Sequence, residues 1–149
     1  MSILTVVLSS FVGTLGFAMI LHTPARTLVP ASVIGAAAYG LYFYLESVGC
    51  PEPAAIFLGT LVGTLLGQEC ARRMRRISTI FTTLAIVSLV PGLGLYRCME
   101  LLGSGESDAG LLAGVSAMIT IAMITLGIAV GTYLFRLIIG SHGHPMPDR

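Results

Sequence analysis

The sequence predicts an all-α integral membrane protein with about five transmembrane helices, N-terminus outside and C-terminus in the cytoplasm. Of its 149 residues, 55% are hydrophobic and only 10% are charged, and the mean hydropathy is +0.92. A soluble domain carries about 25% charged residues, so this chain cannot cover itself with a water-facing surface. The charges fall in short clusters between long charge-free stretches. We therefore interpret residues 1–149 as a single transmembrane unit in a lipid bilayer.

Each charge-free stretch is a candidate span, because a helix needs about 20 apolar residues to cross a bilayer. The first stretch has no Lys or Arg before Arg26, so we interpret it as a retained span and not as a signal peptide. The third is short and crosses only if its flanking charged side chains reach the interface. The predicted spans are about 3–22, 27–45, 53–69, 77–96 and 109–135, and a flexible tail, 140–149, follows them.

The arginines predict the orientation. With five spans, the first connection, the third connection and the tail lie on one side and contain seven of the eight arginines. The positive-inside rule makes that side cytoplasmic, in the inner or plasma membrane of a bacterial-type cell. A four-span alternative without the third stretch would divide the arginines between both faces. The topology-setting cluster in the third connection is Arg72, Arg73, Arg75 and Arg76.

The third span contains a glycine row that predicts close helix packing. Gly59, Gly63 and Gly67 recur every four residues in LGTLVGTLLG. Small residues at this spacing let two helix backbones approach each other within a membrane. The neighbour is either another helix of this chain or a helix of a partner. Weaker single pairs with the same spacing follow in the fifth span, at Gly110 and Gly114 and at Gly127 and Gly131.

The fourth span is predicted to break at Pro91 and Gly92, in SLVPGLGLYR. Proline removes a backbone donor, and broken helices are how many transporters present backbone groups to substrate. The alternative is a Pro-Gly turn at the outer interface with Tyr96 as an interfacial anchor. Ser88 and Thr64 are candidates for lining a transport path, although such residues also form bonds within and between helices.

The first connection, LHTPARTLVP, contains one arginine, Arg26, between two prolines. It is interpreted either as a topology-setting residue or as a contact for an anionic substrate. In the second span, Tyr39, Tyr42 and Tyr44 are typical of interfacial anchors, with stacking on substrate as the alternative.

Several function classes are excluded by what the spans lack. The charge-free stretches contain no acidic or basic residue, so they predict neither an enzyme site nor the buried carboxylate of a small multidrug transporter. Cys50, Cys70 and Cys98 form no paired spacing, and we expect no metal and no cofactor. A net charge of +1 without a basic stripe argues against nucleic acid as a partner.

Two segments resemble the C-terminal half-domain of threonine/serine exporters. They are GFAMILHTPARTLVPASVIGAAAYG, with a Pro-x-Arg-x-Leu turn, and SLVPGLGLY, with a Pro-Gly-x-x-x-Tyr pattern. The resemblance runs from about Gly16 to Phe135. The positions that match the two motifs are Pro24, Arg26 and Leu28 and then Pro91, Gly92 and Tyr96.

The resemblance implies a role. Some members carry both half-domains in one chain and others divide them, and this sequence is similar to the short subunit of the divided form. It implies one subunit of a two-component secondary transporter that exports threonine, serine or small dicarboxylates such as succinate. A larger membrane subunit with the complementary five-span half is the implied partner. Members often have a tryptophan in the second helix, which this chain lacks and which Tyr39 or Tyr42 replaces. The alternative is a non-transporting accessory subunit of a membrane complex.

Overall fold

The protein is described by a computed structural model that covers residues 3–22, 24–75, 78–87, 89–90 and 92–140. All regular structure in these residues is α-helical, which confirms the all-α part of the prediction, while the five spans and their orientation stay predictions. Residues 141–149, most of the predicted tail, lie outside the described part. The six helices are α1 (Ile3–Ile20), α2 (Ala25–Ser47), α3 (Glu52–Arg73), α4 (Ser78–Val87), α5 (Gly92–Gly103) and α6 (Ser107–Gly140).

Three of the described helical segments are long and apolar enough to cross a membrane. They are Thr27–Ser47, Glu52–Arg73 and Ser107–Ile138, and Val7–Ile20 is a shorter apolar helix. Residues of this composition need a lipid environment, because their apolar side chains remain exposed in the folded chain. The chain is therefore a helical membrane protein.

The predicted fourth span, 77–96, is two helices in the structure. α4 ends at Val87 and α5 begins at Gly92, so the chain is interrupted where the break is predicted. With 10 and 12 residues, neither helix alone crosses a hydrocarbon core of about 30 Å. Pro91 and Ser88 lie outside the described residues.

Helix α5 extends beyond residue 96, the predicted end of the fourth span. α5 continues to Gly103, so Arg97 and Glu100 lie within a helix and only residues 104–106 join α5 to α6. The predicted fourth span ends before the first charged residue, Arg97, but a charged side chain at a helix surface does not end a helix. Gly105 does end it: its φ is +88°, and the Glu106 amide donates to the Leu101 carbonyl at 3.0 Å, a Schellman motif.

The first connection is also shorter than predicted. α2 begins at Ala25, directly after Pro24, so Arg26 lies in the first turn of the helix and not in a loop. Pro30 lies inside α2, where it removes the amide that would bond the Arg26 carbonyl. At the other end of the chain α6 extends to Gly140, so Arg136 is helical too.

Helices α1 to α4 pack together as one bundle. α1 packs on α2, α2 packs on α3 and α4, and α3 packs on α4. We call this unit the α1–α4 bundle. Its shared core consists of buried apolar side chains from all four helices, which are Ala18, Ala31, Ile34, Ala71, Phe81, Leu84 and Ala85.

The glycine row of α3 makes its close contacts inside this bundle. A Cβ added at Gly59 would lie 3.0 Å from the Ala38 carbonyl oxygen on α2. One added at Gly63 would lie 3.0 Å from the Ala38 Cβ, and one at Gly67 would lie 3.4 Å from the Phe81 backbone on α4. The neighbours of the row are therefore α2 and α4 of the same chain.

Helices α5 and α6 form a second unit, the α5–α6 hairpin. At Gly110 an added Cβ would lie 2.7 Å from the Leu102 side chain, and at Gly114 it would lie 3.0 Å from the Cys98 Sγ. α6 also packs along α3, and this contact joins the hairpin to the bundle. The hairpin and the bundle therefore meet mainly at one helix pair.

Candidate functional site

A cavity of about 460 Å³ lies between the α1–α4 bundle and the α5–α6 hairpin. Its walls come from α2, α3, α5, α6 and the link at residues 89–90. The apolar part of the wall includes Ile56, Leu89 and Ala117. The polar lining residues are Tyr39, Tyr42, Glu52, Arg97, Ser116 and Thr120.

Two side chains of opposite charge line this cavity, one from each of the two units. Glu52 lies in the first turn of α3, on the bundle, and Arg97 lies in the middle of α5, on the hairpin. A guanidinium offers a planar fork of donors that matches a carboxylate, and a carboxylate accepts from an ammonium group. The pair therefore provides recognition for a small ligand that carries either or both charges.

The aromatic wall consists of Tyr39 and Tyr42, one turn apart on α2. Their ring centroids are 5.6 Å apart and the planes are tilted by 49°. The α3 backbone approaches this wall closely, because a Cβ added at Gly59 would lie 3.4 Å from the Tyr42 Cβ. Tyr39 and Tyr42 thus line the cavity, whereas Tyr44 is exposed and does not line it.

Two hydroxyl side chains of α6 line the cavity. Ser116 and Thr120 are one turn apart, and the Thr120 Oγ1 donates to the Ser116 carbonyl at 3.1 Å. After that donation the threonine oxygen still has lone pairs with which to accept a hydrogen bond. These two hydroxyls add neutral polar contacts to the charged pair.

The interruption between α4 and α5 lies directly at the cavity. Leu89 is buried in one cluster with Ala38, Ile56 and Ile124, and both Leu89 and Val90 line the cavity. The link between the two helices is therefore part of the cavity wall, as are Leu93 and Arg97 of α5.

One sequence comparison decides the family of this chain. The sequence model of the family described as threonine/serine exporter, ThrE, matches residues 6–137. This chain belongs to the threonine/serine exporter family. The resemblance stated from the two motifs is thereby confirmed. The family consists of membrane exporters and not of enzymes. No solved structure matches the chain.

The residues that the sequence singled out in this exporter-family chain do not all lie at the cavity. Tyr96 is 64% exposed and is not among the lining residues. Gly92 is exposed at the start of α5, close to the cavity but not lining it. Thr64 is buried between α3 and α6. The Arg26 side chain lies outside the described residues, as do Pro91 and Ser88.

The topology arginines of the exporter lie at the end of α3 that is opposite to Glu52. The Arg73 Nε donates to Glu69 Oε1 at 2.8 Å, and Arg72 Nη1 lies 3.9 Å from the other Glu69 oxygen. Both arginines are exposed, in the last turn of α3, where they complement the helix dipole. Arg75 follows at the helix end, and Arg76 lies outside the described residues.

Sequence reasoning missed Arg97, Glu52, Ser116 and Thr120 as ligand candidates. The two charged residues had been treated as loop charges at span ends. A helix that starts at Gly92 puts Leu93 and Arg97 on one face, four residues apart. The signal that could have found the site is therefore this i, i+4 spacing after the Pro-Gly pair.

Proposed function

We propose that this chain is one subunit of a two-component secondary transporter that exports small polar metabolites, with small amino acids as the leading substrates. The observation that carries the proposal is the cavity at the interrupted helix, lined by both Arg97 and Glu52. Family membership supports an exporter in general. The cavity adds a binding chemistry to that general role.

The charges at the cavity favour an amino acid over a dicarboxylate. A zwitterion fits if its carboxylate binds Arg97 and its ammonium group binds Glu52. The hydroxyl of threonine or serine would then reach the polar groups of Ser116 and Thr120. Succinate would bring a second carboxylate towards Glu52, and like charges repel. Threonine and serine are therefore the substrates that we propose to test first.

The proposed topology keeps five crossings with the N-terminus outside and the C-terminus inside. In it, α4 and α5 together make the fourth crossing, and the arginine-rich end of α3 faces the cytoplasm. The cavity, at the Glu52 end of α3, then lies towards the outer face of an inner or plasma membrane. The partner in this proposal is a larger membrane chain with the complementary five-span half, against which part of the exposed apolar surface of α6 would pack.

The alternative role, a non-transporting accessory subunit, explains the exposed apolar helices equally well. It gives no role to the two opposite charges and two hydroxyls that line one cavity. The two roles differ in one measurable respect, which is whether changes inside the cavity affect efflux.

Efflux from loaded cells tests the proposed function. Cells that lack this chain are loaded with a threonine-containing dipeptide, and the release of threonine, serine and succinate is measured over time. We expect slower threonine and serine release, higher intracellular threonine, and recovery when the chain is restored. Unchanged release of all three compounds in the deletion strain would contradict the proposal. Loss restored by a chain with Arg97 and Glu52 both replaced would favour the accessory role.

A further inference from the structure

The contact between α3 and α6, which we call the α3–α6 seam, is close at two glycines of α6. A Cβ added at Gly127 on α6 would lie 2.9 Å from the Thr60 Cβ on α3. One turn further on, a Cβ added at Gly131 would lie 3.1 Å from the Thr64 Cβ. Because Gly127 and Gly131 have no side chains, α6 has room for the side chains of Thr60 and Thr64 at these two points.

Both threonines are completely buried, yet neither hydroxyl has a hydrogen-bond partner among the residues that the structure describes. A threonine in a helix ordinarily donates to the carbonyl four residues earlier, as Thr14, Thr120 and Thr125 do here. A buried hydroxyl without a partner is destabilising. Packing alone would be served better by valine at positions 60 and 64.

The two threonines continue a row that starts at the cavity. Along α3, Glu52 and Ile56 line the cavity, Thr60 and Thr64 follow at four-residue steps, and Gln68 comes next. At 1.5 Å per residue, the distance from Glu52 to Gln68 is about 24 Å along the helix. The row therefore leads from the cavity to the turn of α3 that precedes its arginine pair.

At the far end of the row the seam is closed by one polar contact. The Gln68 Nε2 donates to the Thr132 Oγ1 of α6 at 3.0 Å. The core shared by α1 to α4 does not include α6, but a second, smaller cluster packs Ile124 of α6 against Ala38 of α2 and Ile56 of α3. Separating α6 from α3 would therefore expose the row and this smaller cluster, while the main core of the bundle stays closed.

We propose that Thr60 and Thr64 line the route by which the exported amino acid passes between the arginine-rich face and the cavity, and that α6 closes this route in the state seen here. This inference rests on the proposed export function. When α6 moves away from α3, the two hydroxyls gain water or the polar groups of the substrate as partners. Because the buried hydroxyls lack partners in the closed state, that state is less stable than it would be with valine at the two positions.

A reversible cross-link across the seam tests the proposal. In a chain with Cys50, Cys70 and Cys98 replaced by alanine, Thr64→Cys and Gly131→Cys are introduced together and oxidised. Efflux of threonine is measured in cells that also contain the native partner chain. We expect the oxidised pair to lose nearly all threonine efflux and to recover it when a reductant breaks the disulfide.

The matched control is Ala38→Cys with Gly63→Cys, which joins α2 to α3 at a similar Cβ separation, 3.0 Å against 3.1 Å. Because both positions are inside the bundle, its oxidation should leave efflux at the level of the same variant in the reduced state. Full efflux with the seam cross-linked, or no cross-link at the seam under conditions that complete the control, would overturn the proposal. Absent efflux in the reduced cysteine-free parent would instead overturn the proposed function, and this inference with it.

Variants without the hydroxyls of Thr60 and Thr64 distinguish a transport route from a contact that serves packing alone. Thr60→Val and Thr64→Val keep the side-chain shape, and Thr125→Val is the control, because Thr125 is exposed and bonds its own helix. We expect each seam variant to reach the membrane normally and to lower the maximal efflux rate roughly threefold to tenfold, as for one lost hydrogen bond. Wild-type efflux in both seam variants would contradict the assignment, whatever their thermal stability.

Discussion

Arg97→Gln is expected to abolish most threonine efflux while the chain still folds and inserts. Arg97 is exposed on the cavity wall, so the loss of its charge removes no buried contact. A hydrogen bond to a charged group contributes about 1.5–3 kcal/mol, which corresponds to roughly tenfold to hundredfold weaker substrate binding. The measurement is the concentration dependence of threonine efflux at equal amounts of protein in the membrane.

Two further variants make this result specific. Arg97→Lys keeps the charge but loses the planar fork, so its efflux should lie between those of the wild type and Arg97→Gln. Arg136→Gln removes an exposed arginine of α6 that does not line the cavity, and it should export normally. Wild-type efflux in Arg97→Gln would contradict the proposal that the cavity binds the exported substrate.

Gly63→Leu is expected to cause the largest loss of stability. A Cβ at this position already lies 3.0 Å from the Ala38 Cβ and 3.5 Å from the Ala85 Cβ, so three more carbons have no space. Overpacking a closed contact costs about 1–3 kcal/mol, and here it forces α3 away from both α2 and α4. The expected result is a lower Tm in detergent and less protein in the membrane.

The control for this variant is Gly13→Leu on α1, where nothing lies within 4 Å of an added Cβ. It adds the same side chain to another apolar helix and should change the Tm little. If both variants had the same Tm as the wild type, the glycine row would not be the contact that holds α3 in the bundle.

The two sides of α3 explain how one helix serves both stability and transport. Gly59 and Gly63 pack against Ala38 of α2, and Gly63 also packs against Ala85 of α4, at distances that leave little space for any added side chain. The residues next to them in sequence, Thr60 and Thr64, contact α6 through their Cβ and Cγ2 atoms, and their buried hydroxyls lack partners in the described chain. We infer that the first side is permanent and that the second opens.

Much of this architecture could be predicted from the sequence because the membrane restricts the possibilities. Charge-free stretches allow only helices, and glycines at four-residue spacing indicate a backbone contact, as Gly59 and Gly63 make. Pro91 and Gly92 predicted the interruption that separates α4 from α5. These signals are local, so a single sequence contains them.

The candidate site could not be predicted in the same way, because it depends on which helices face each other. Arg97 and Glu52 are 45 positions apart in the chain and meet at one cavity only through the packing of α6 on α3. Tyr96 shows the converse. It belongs to a family-like motif, yet its side chain points away from the cavity that its neighbour Arg97 lines.

Substrate protection of a cavity cysteine tests the central claim most directly. Ser116→Cys, in the chain without its three native cysteines, puts an exposed thiol on the cavity wall, and its rate of modification by a water-soluble thiol reagent is measured in membranes. We predict that threonine and serine slow the modification over the concentration range in which they are exported, and that succinate slows it less. An unchanged rate at threonine concentrations that saturate efflux would contradict the claim that this cavity binds the exported substrate.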